Sequence, residues 1–190
     1  MNQNNHISTK RIVIAGLMAA LTVAGSALRI TLPVDIAGTT SFHLGNIMCA
    51  LSGVLLGPWL GGFAAALGSA IYDMMNPLYI SEAWITFLMK GAYGLITGYI
   101  VRGNNQHSFT YRRAVIGTVA GALTYAVLYL AKSYFYSGLF LNGLTAQAAM
   151  ISVAGKLPAT VFNAAIAVIC TPLLAIAIDK ALKKNHLSIE

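Results

Sequence analysis

Residues 114–136 read AVIGTVAGALTYAVLYLAKSYFY, a stretch with a single charged residue, Lys132. About 20 predominantly apolar residues are what an α-helix needs to cross a hydrocarbon layer roughly 30 Å thick. Within the stretch, Tyr125, Tyr129, Lys132 and Tyr136 follow i, i+4, i+7, i+11, so a helix carries them on one face. Lipid cannot satisfy such a face, which must therefore point into a bundle.

Working outward, hydropathy and chain breakers give five more spans. The first runs from about residue 11 to 30 and ends before Pro33, in a loop through Ser41. The second, about 43–56, stops at Gly57-Pro58, and the third, about 60–75, at Asn76-Pro77; both pairs are turn signals. The fourth covers about 83–101, followed by a polar loop from Arg102 to Arg113. The sixth covers about 146–182, with Pro158 and Pro172 inside it, expected to kink it or mark its boundaries. The second and third are short; one reading makes them a re-entrant hairpin, and they count here as two crossings on the expectation that the bilayer thins locally or that neighbouring helices shield them. The expected fold is an all-α membrane protein, one domain over residues 1–190, built as a six-transmembrane-helix bundle.

Composition agrees. Of 190 residues, 57% are hydrophobic and 9% charged, where soluble domains carry about 25% charged residues. The net charge of +7 is not gathered on one polar surface, so nucleic acid is excluded as a partner. Lys10, Arg11, Arg102, Arg112, Arg113, Lys180, Lys183 and Lys184 flank spans on one side, while Asp35, Glu82 and, at a helix end, Asp73 fall on the other. The positive-inside rule then puts both termini in the cytoplasm. Small residues at Ala24-Gly25-Ser26 resemble a signal-peptidase site, but an equally apolar continuation favours an uncleaved first helix. Cys49 and Cys170, separated and inside apolar segments, read as small hydrophobes.

The remaining cations, Arg29, Lys90, Lys132 and Lys156, lie inside or at the rim of apolar segments. A charge within a bilayer costs roughly 2.5 kcal/mol or more and marks a functional site by default. In the expected topology they gather with Asp73 toward the outer side. On the fourth helix Thr86, Lys90, Tyr93 and Thr97 share a face; on the sixth, Ser152, Lys156, Thr160 and Asn163 do. Aromatic walls with a few placed donors are the usual lining of a small-molecule pocket. The competing reading is structural: the cations snorkel to headgroups or lock onto Asp73 and Glu82. It competes evenly for Arg29 and Lys132, near helix ends, and less well for the deeper Lys90 and Lys156. Tyr134 and Tyr136 suit an interfacial belt, for which Tyr125 and Tyr129 lie too deep.

Small residues four apart, Ala15 with Ala19 and Ala20 with Ala24 on the first helix, then Gly53, Gly57 and Gly61, Gly94 with Gly98, and Gly117 with Gly121, allow close helix approach. No phosphate loop, HExxH, cysteine–histidine metal spacing or GxSxG occurs. His43 with Asp73 forms a catalytic pair only on paper, interfacial packing being the simpler role. The residues give no case for an enzyme, a catalytic residue, a cofactor or a metal.

The order of these features resembles the substrate-binding S components of energy-coupling factor (ECF) vitamin transporters. It is carried by Ala15xxxAla19, by Phe42-His-Leu-Gly-Asn46 through Leu55-Leu-Gly-Pro-Trp-Leu-Gly-Gly62, by Gly68 and Asp73 before Asn76-Pro77, and by Lys90-Gly91 with Gly94 and Gly98. The resemblance implies a multi-pass protein of a prokaryotic cell membrane that binds a vitamin on the outer side and topples in the lipid to release it inward. Its implied binding positions are Lys90, Tyr93, Tyr125, Tyr129, Lys132, Lys156 and Asn163; the aligned polar groups add Thr160, Asp73 and Arg29. Residues 33–41 and 76–82 would act as lids. Ala15 and Ala19, with Gly16 and Ala20 beside them, would dock onto a transmembrane coupling protein driven by two ATPase subunits. Excess cations favour an anionic ligand such as pantothenate, while the tyrosine wall suits a flavin, pyrimidine or corrinoid. The rival readings are a self-contained secondary transporter or channel, with Asp73 and a lysine as a proton-coupled pair, and a lipid enzyme using His43 and Asp73.

Overall fold

The computed structural model describes residues 8–33, 39–103 and 109–185; Asp35, His6, His107 and His186 lie outside them. Helix α1 (Thr9–Ala27) leads into strands β1 (Arg29–Pro33) and β2 (Thr39–His43), then α2 (Gly45–Leu56) and α3 (Pro58–Met74). A 3-10 turn (Ile80–Glu82) opens α4 (Ala83–Arg102), α5 (Tyr111–Lys132) passes into a π-helix (Ser133–Leu141), and α6 (Ala146–Lys184) closes the chain. Ser8, Thr110 and Thr145 start α1, α5 and α6 by accepting the N–H three residues on. Among the described residues, four helical segments are long and apolar enough to cross a membrane: 9–27, 80–102, 111–141 and 146–184.

The architecture is helical, but not all-α. The antiparallel β1–β2 hairpin pairs Arg29 with His43 and Thr31 with Ser41. Helix α1 stops at Ala27, short of the expected residue 30; the Leu28 N–H makes the last helical bond, to the Ala24 carbonyl, and Arg29 Nε donates to the Ser26 carbonyl (2.9 Å). Ile30, Thr31, Thr39 and Thr40 are β-branched and favour the extended ladder. His43 consequently ends a strand, and the second helix begins at Gly45. Pro158 and Pro172 neither break nor bound α6, which runs through both for 39 residues; prolines are tolerated in membrane helices where neighbours re-satisfy the freed backbone groups.

Helix α2, 12 residues or about 18 Å long, is too short for the bilayer, and the bundle shows why that is tolerable. All of its residues except Met48 are buried, wrapped by α1, α3, α4 and α6. Its last carbonyls lack helical partners, since Gly57 turns at φ +83° and Pro58 has no N–H. Arg102 Nε donates to the Val54 carbonyl and the Arg11 guanidinium to that of Leu56, both at 2.8 Å. These cations also complement the negative end of the helix dipole.

Glycines set the close crossings. A Cβ at Gly53 would strike the Gly94 carbonyl oxygen, and one at Gly68 the Ala19 carbonyl oxygen, so α2 lies on α4 and α1 on α3 almost backbone to backbone. Ala15 (8% exposed) and Ala19 (6%) are buried in this packing, whereas Gly16 and Ala20 face outward. Of the four small residues expected to dock, two thus pack inside the bundle and two lie on its outward face.

Candidate ligand cavity

The start of α1, the ends of α2, α4 and α6 and the start of α5 lie at one end of the bundle. At the other end, the hairpin, the α3–α4 turn and the π-helix surround a cavity of about 340 Å³. That size falls within the range of small-molecule sites, about 300–1,000 Å³. Arg29, Asp73, Lys90, Tyr125, Tyr129, Lys132, Lys156, Thr160 and Asn163 all line it. Tyr93 does not: it is wholly buried beneath the cavity, with Cys49, Ala50, Ala65 and Ala122. Of the other aligned polar residues, Thr86 lines the cavity, whereas Thr97 and Ser152 are buried away from its wall. Cys49 and Cys170 are free thiols.

The tyrosines form a ladder. Tyr93 stacks on Tyr125 (5.8 Å between centroids, 16°), and Tyr125 on Tyr129 (5.8 Å, 24°). Tyr136 leaves this face because the chain switches to π turns after Lys132. It packs instead against Trp84 (5.8 Å) and Phe140 (6.0 Å). The wider π turn brings serines inward: Ser137 lines the cavity and Ser133 is buried behind Lys156.

Each cation has a different setting. Lys90 Nζ donates to Asn46 Oδ1 on α2 and sits 3.9 Å above the Tyr125 ring. Lys132 is ion-paired with Glu82, whose other oxygen accepts from Ser137 Oγ (2.9 Å). Arg29 stands at the rim, its guanidinium 4.3 Å from the Tyr72 ring and 5.0 Å from that of Tyr79. Among the described residues, Lys156 makes one hydrogen bond, to Ser133 Oγ at 3.5 Å. The two carboxylates, Asp73 and Glu82, offset only part of this charge.

Asn163 works on the hairpin. Its amide nitrogen donates to the Ser41 carbonyl (2.7 Å) and its oxygen accepts the His43 N–H (3.0 Å), so the side chain completes the open edge of β2 as a third strand would. His43 Nδ1 accepts from the Gly45 N–H (3.2 Å), which leaves no catalytic pairing of that nitrogen with Asp73. His43 sits in the hairpin, outside the helices. Burial first, then the Lys90 and Arg29 cations, hold its imidazole well below the ordinary value, so it stays neutral.

Sequence reasoning missed His43, Asn46, Ser26, Ser69, Thr40 and Asn142 as lining residues. Asn46 was legible: a lone amide in the first turn of an otherwise apolar helix needs a buried partner. His43 and Thr40 depend on the hairpin and Asn142 on the π turns before it, which carry no helical period, whereas Ser26 and Ser69 stand on α1 and α3.

The sequence profile of the family described as "ECF-type riboflavin transporter, S component" matches residues 6–182. The chain belongs to that family. An uncharacterized protein of Pyrococcus woesei is 35% identical over 119 residues, 63% of this chain and 74% of the relative. UPF0397 proteins of Streptococcus agalactiae (31% identical over 103 residues, 54% of this chain) and Streptococcus gordonii (33% over 91 residues, 48% of this chain) are also similar. The chain spans about half the length of these streptococcal relatives, 52% and 46%. An S component is a transport subunit for a small-molecule vitamin rather than an enzyme, and it works with an ECF module of ATPases and a T component. Several long apolar helices fit this S component as a multi-pass membrane protein.

Proposed function

We propose that the cavity binds a flat, heteroaromatic vitamin with polar edges, riboflavin being the first to test, and that the bundle crosses the membrane six times with both termini in the cytoplasm. The observation that carries the ligand class is the Tyr93–Tyr125–Tyr129 ladder, which leads from the core to the cavity wall. A ligand ring stacks on such a surface at low ordering cost, and the hydroxyls and amides around it suit a polyol or carbonyl edge. Arg29, Lys90 and Lys132 are already engaged by internal partners, so the excess cations speak less strongly for an anion than their number does. The second reading, a pantothenate-like carboxylate, rests on Lys156 and its one long contact.

The hairpin and the α3–α4 turn act as lids in this reading, with Asn163 and the Glu82–Lys132 pair holding them shut. The outward face of α1 around Gly16 and Ala20 meets the T component. Mass spectrometry of small molecules released from the purified protein, followed by calorimetric titration with riboflavin and with pantothenate, tests the ligand. Tight binding of riboflavin is expected; binding of pantothenate alone moves the conclusion to the second reading.

A further inference from the structure

His43 is fixed at both ends of its polar inventory but one. Its backbone N–H is held by Asn163 Oδ1 (3.0 Å), and its Nδ1 accepts from the Gly45 N–H (3.2 Å). A neutral imidazole carries one proton, and an accepted N–H on Nδ1 forces that proton onto Nε2. His43 lines the cavity, and its Nε2–H has no acceptor among the described residues. Around it, Lys90 is turned to Asn46 and the Tyr125 ring, and both ends of the Asn163 amide are used by β2. At this corner the imidazole is a rigid donor held ready by the fold.

We infer that His43 is a ligand-binding residue whose Nε2–H donates to an acceptor on the transported molecule, a carbonyl oxygen or an unprotonated ring nitrogen. This rests on the reading of the cavity as the vitamin site and narrows it: the ligand presents an acceptor toward the junction of β2, α2 and α6. The Gly45 contact is a positioning device, since it sets the tautomer and the ring plane.

Two near-isosteric substitutions separate the nitrogens. His43→Asn places Oδ1 where Nδ1 stands, keeps the bond from the N–H two residues on as an Asx-turn does, and has nothing at the Nε2 position. His43→Gln reaches the Nε2 position with an N–H and lacks the acceptor for Gly45. Full-length protein in detergent is titrated by calorimetry with riboflavin, a hydroxymethylpyrimidine and pantothenate, and its thermal midpoint is followed without ligand. His43→Asn is expected to keep the wild-type midpoint and bind its probe about tenfold more weakly, the scale of one lost hydrogen bond. His43→Gln is expected to bind within about threefold of wild type, on the same scale, and to melt earlier. Wild-type affinity in His43→Asn overturns the assignment. Nitrogen-15 NMR of the ligand-free imidazole reads the tautomer independently, and a proton on Nδ1 overturns the assignment whatever binds. Wild-type protein that binds none of the three probes sinks the vitamin-site reading instead.

Discussion

A buried ammonium group is costly unless its donors are met, and the cavity lysines meet that demand unequally. Among the described residues, Lys90 has Asn46 and the Tyr125 ring, Lys132 has Glu82, and Lys156 has one 3.5 Å contact with Ser133. Spare donors are where a ligand's acceptor gains most. Lys156→Met should therefore weaken ligand binding by about tenfold, or 1.4 kcal/mol, with little change in thermal midpoint. Lys90→Met should lower the midpoint as well, because it strands Asn46 Oδ1 in the core at about 1–3 kcal/mol. Calorimetry beside thermal denaturation distinguishes them, and unchanged affinity in Lys156→Met would assign that lysine to structure. His43 supplies the pH dependence. Lys90 from α4 and Arg29 from β1 oppose its protonation, with Asp73 of α3 on the same cavity wall. In the unfolded chain it titrates near 6.5, so below that pH the unfolded state binds the extra proton and stability falls as pH drops. The wild-type midpoint should decline between about pH 7 and pH 5, more steeply than that of His43→Gln; parallel curves would remove His43 as the cause. At this scale, helical spacing sufficed for Lys90, Tyr125, Lys156 and Thr160, whose alignment is local to one helix. It could not reach His43 or Ser137, which are brought in by a strand pairing and a π turn.

At the scale of elements, α1 presents two small-residue faces one residue apart, and only burial tells them apart. The face through Ala15 and Ala19 seats α3, with the Ala19 carbonyl against Gly68. The face through Gly16, where an added Cβ meets nothing within 4 Å, and Ala20 is open. Ala19→Leu should therefore destabilise the bundle, since overpacking a filled crossing costs about 1–3 kcal/mol. Gly16→Leu with Ala20→Leu should leave folding and ligand affinity unchanged and abolish uptake in cells that contain the ECF module. Uptake at the wild-type rate in that double variant would remove this face as the docking surface. The helices themselves were legible because each is an apolar run bounded by glycine, proline or charge. The hairpin was not: five-residue strands beside a proline look like a loop until their pairing across the chain is known. The last helix was legible as one run; Pro158 and Pro172, read as kinks or boundaries, do not interrupt it.

Across the whole molecule, polarity is divided between the ends, and the division gives the topology a test. The cavity end holds Arg29, Lys90, Lys132 and Lys156, but each is turned inward onto a ring, a carboxylate, an amide or, for Lys156, the Ser133 hydroxyl. The end with the start of α1 and the end of α6 holds Lys10, Arg112, Lys183 and Lys184, all exposed, together with Arg11 and Arg102, which cap α2. Only cations free to meet lipid headgroups and cytoplasm count toward orientation, so the internal cations do not weaken the bias. In a background with Cys49 and Cys170 replaced by Ala, a membrane-impermeant maleimide should label Lys184→Cys in inside-out vesicles alone. It should label Asn76→Cys, at the opposite end, in right-side-out vesicles alone. Ligand present during labelling should slow reaction at Asn76→Cys, since the α3–α4 turn that follows it lines the cavity through Leu78, Tyr79, Ser81 and Glu82. Reversed labelling would place the cavity on the cytoplasmic face. The cavity would then receive ligand from inside the cell, contrary to the role of an importer's binding subunit.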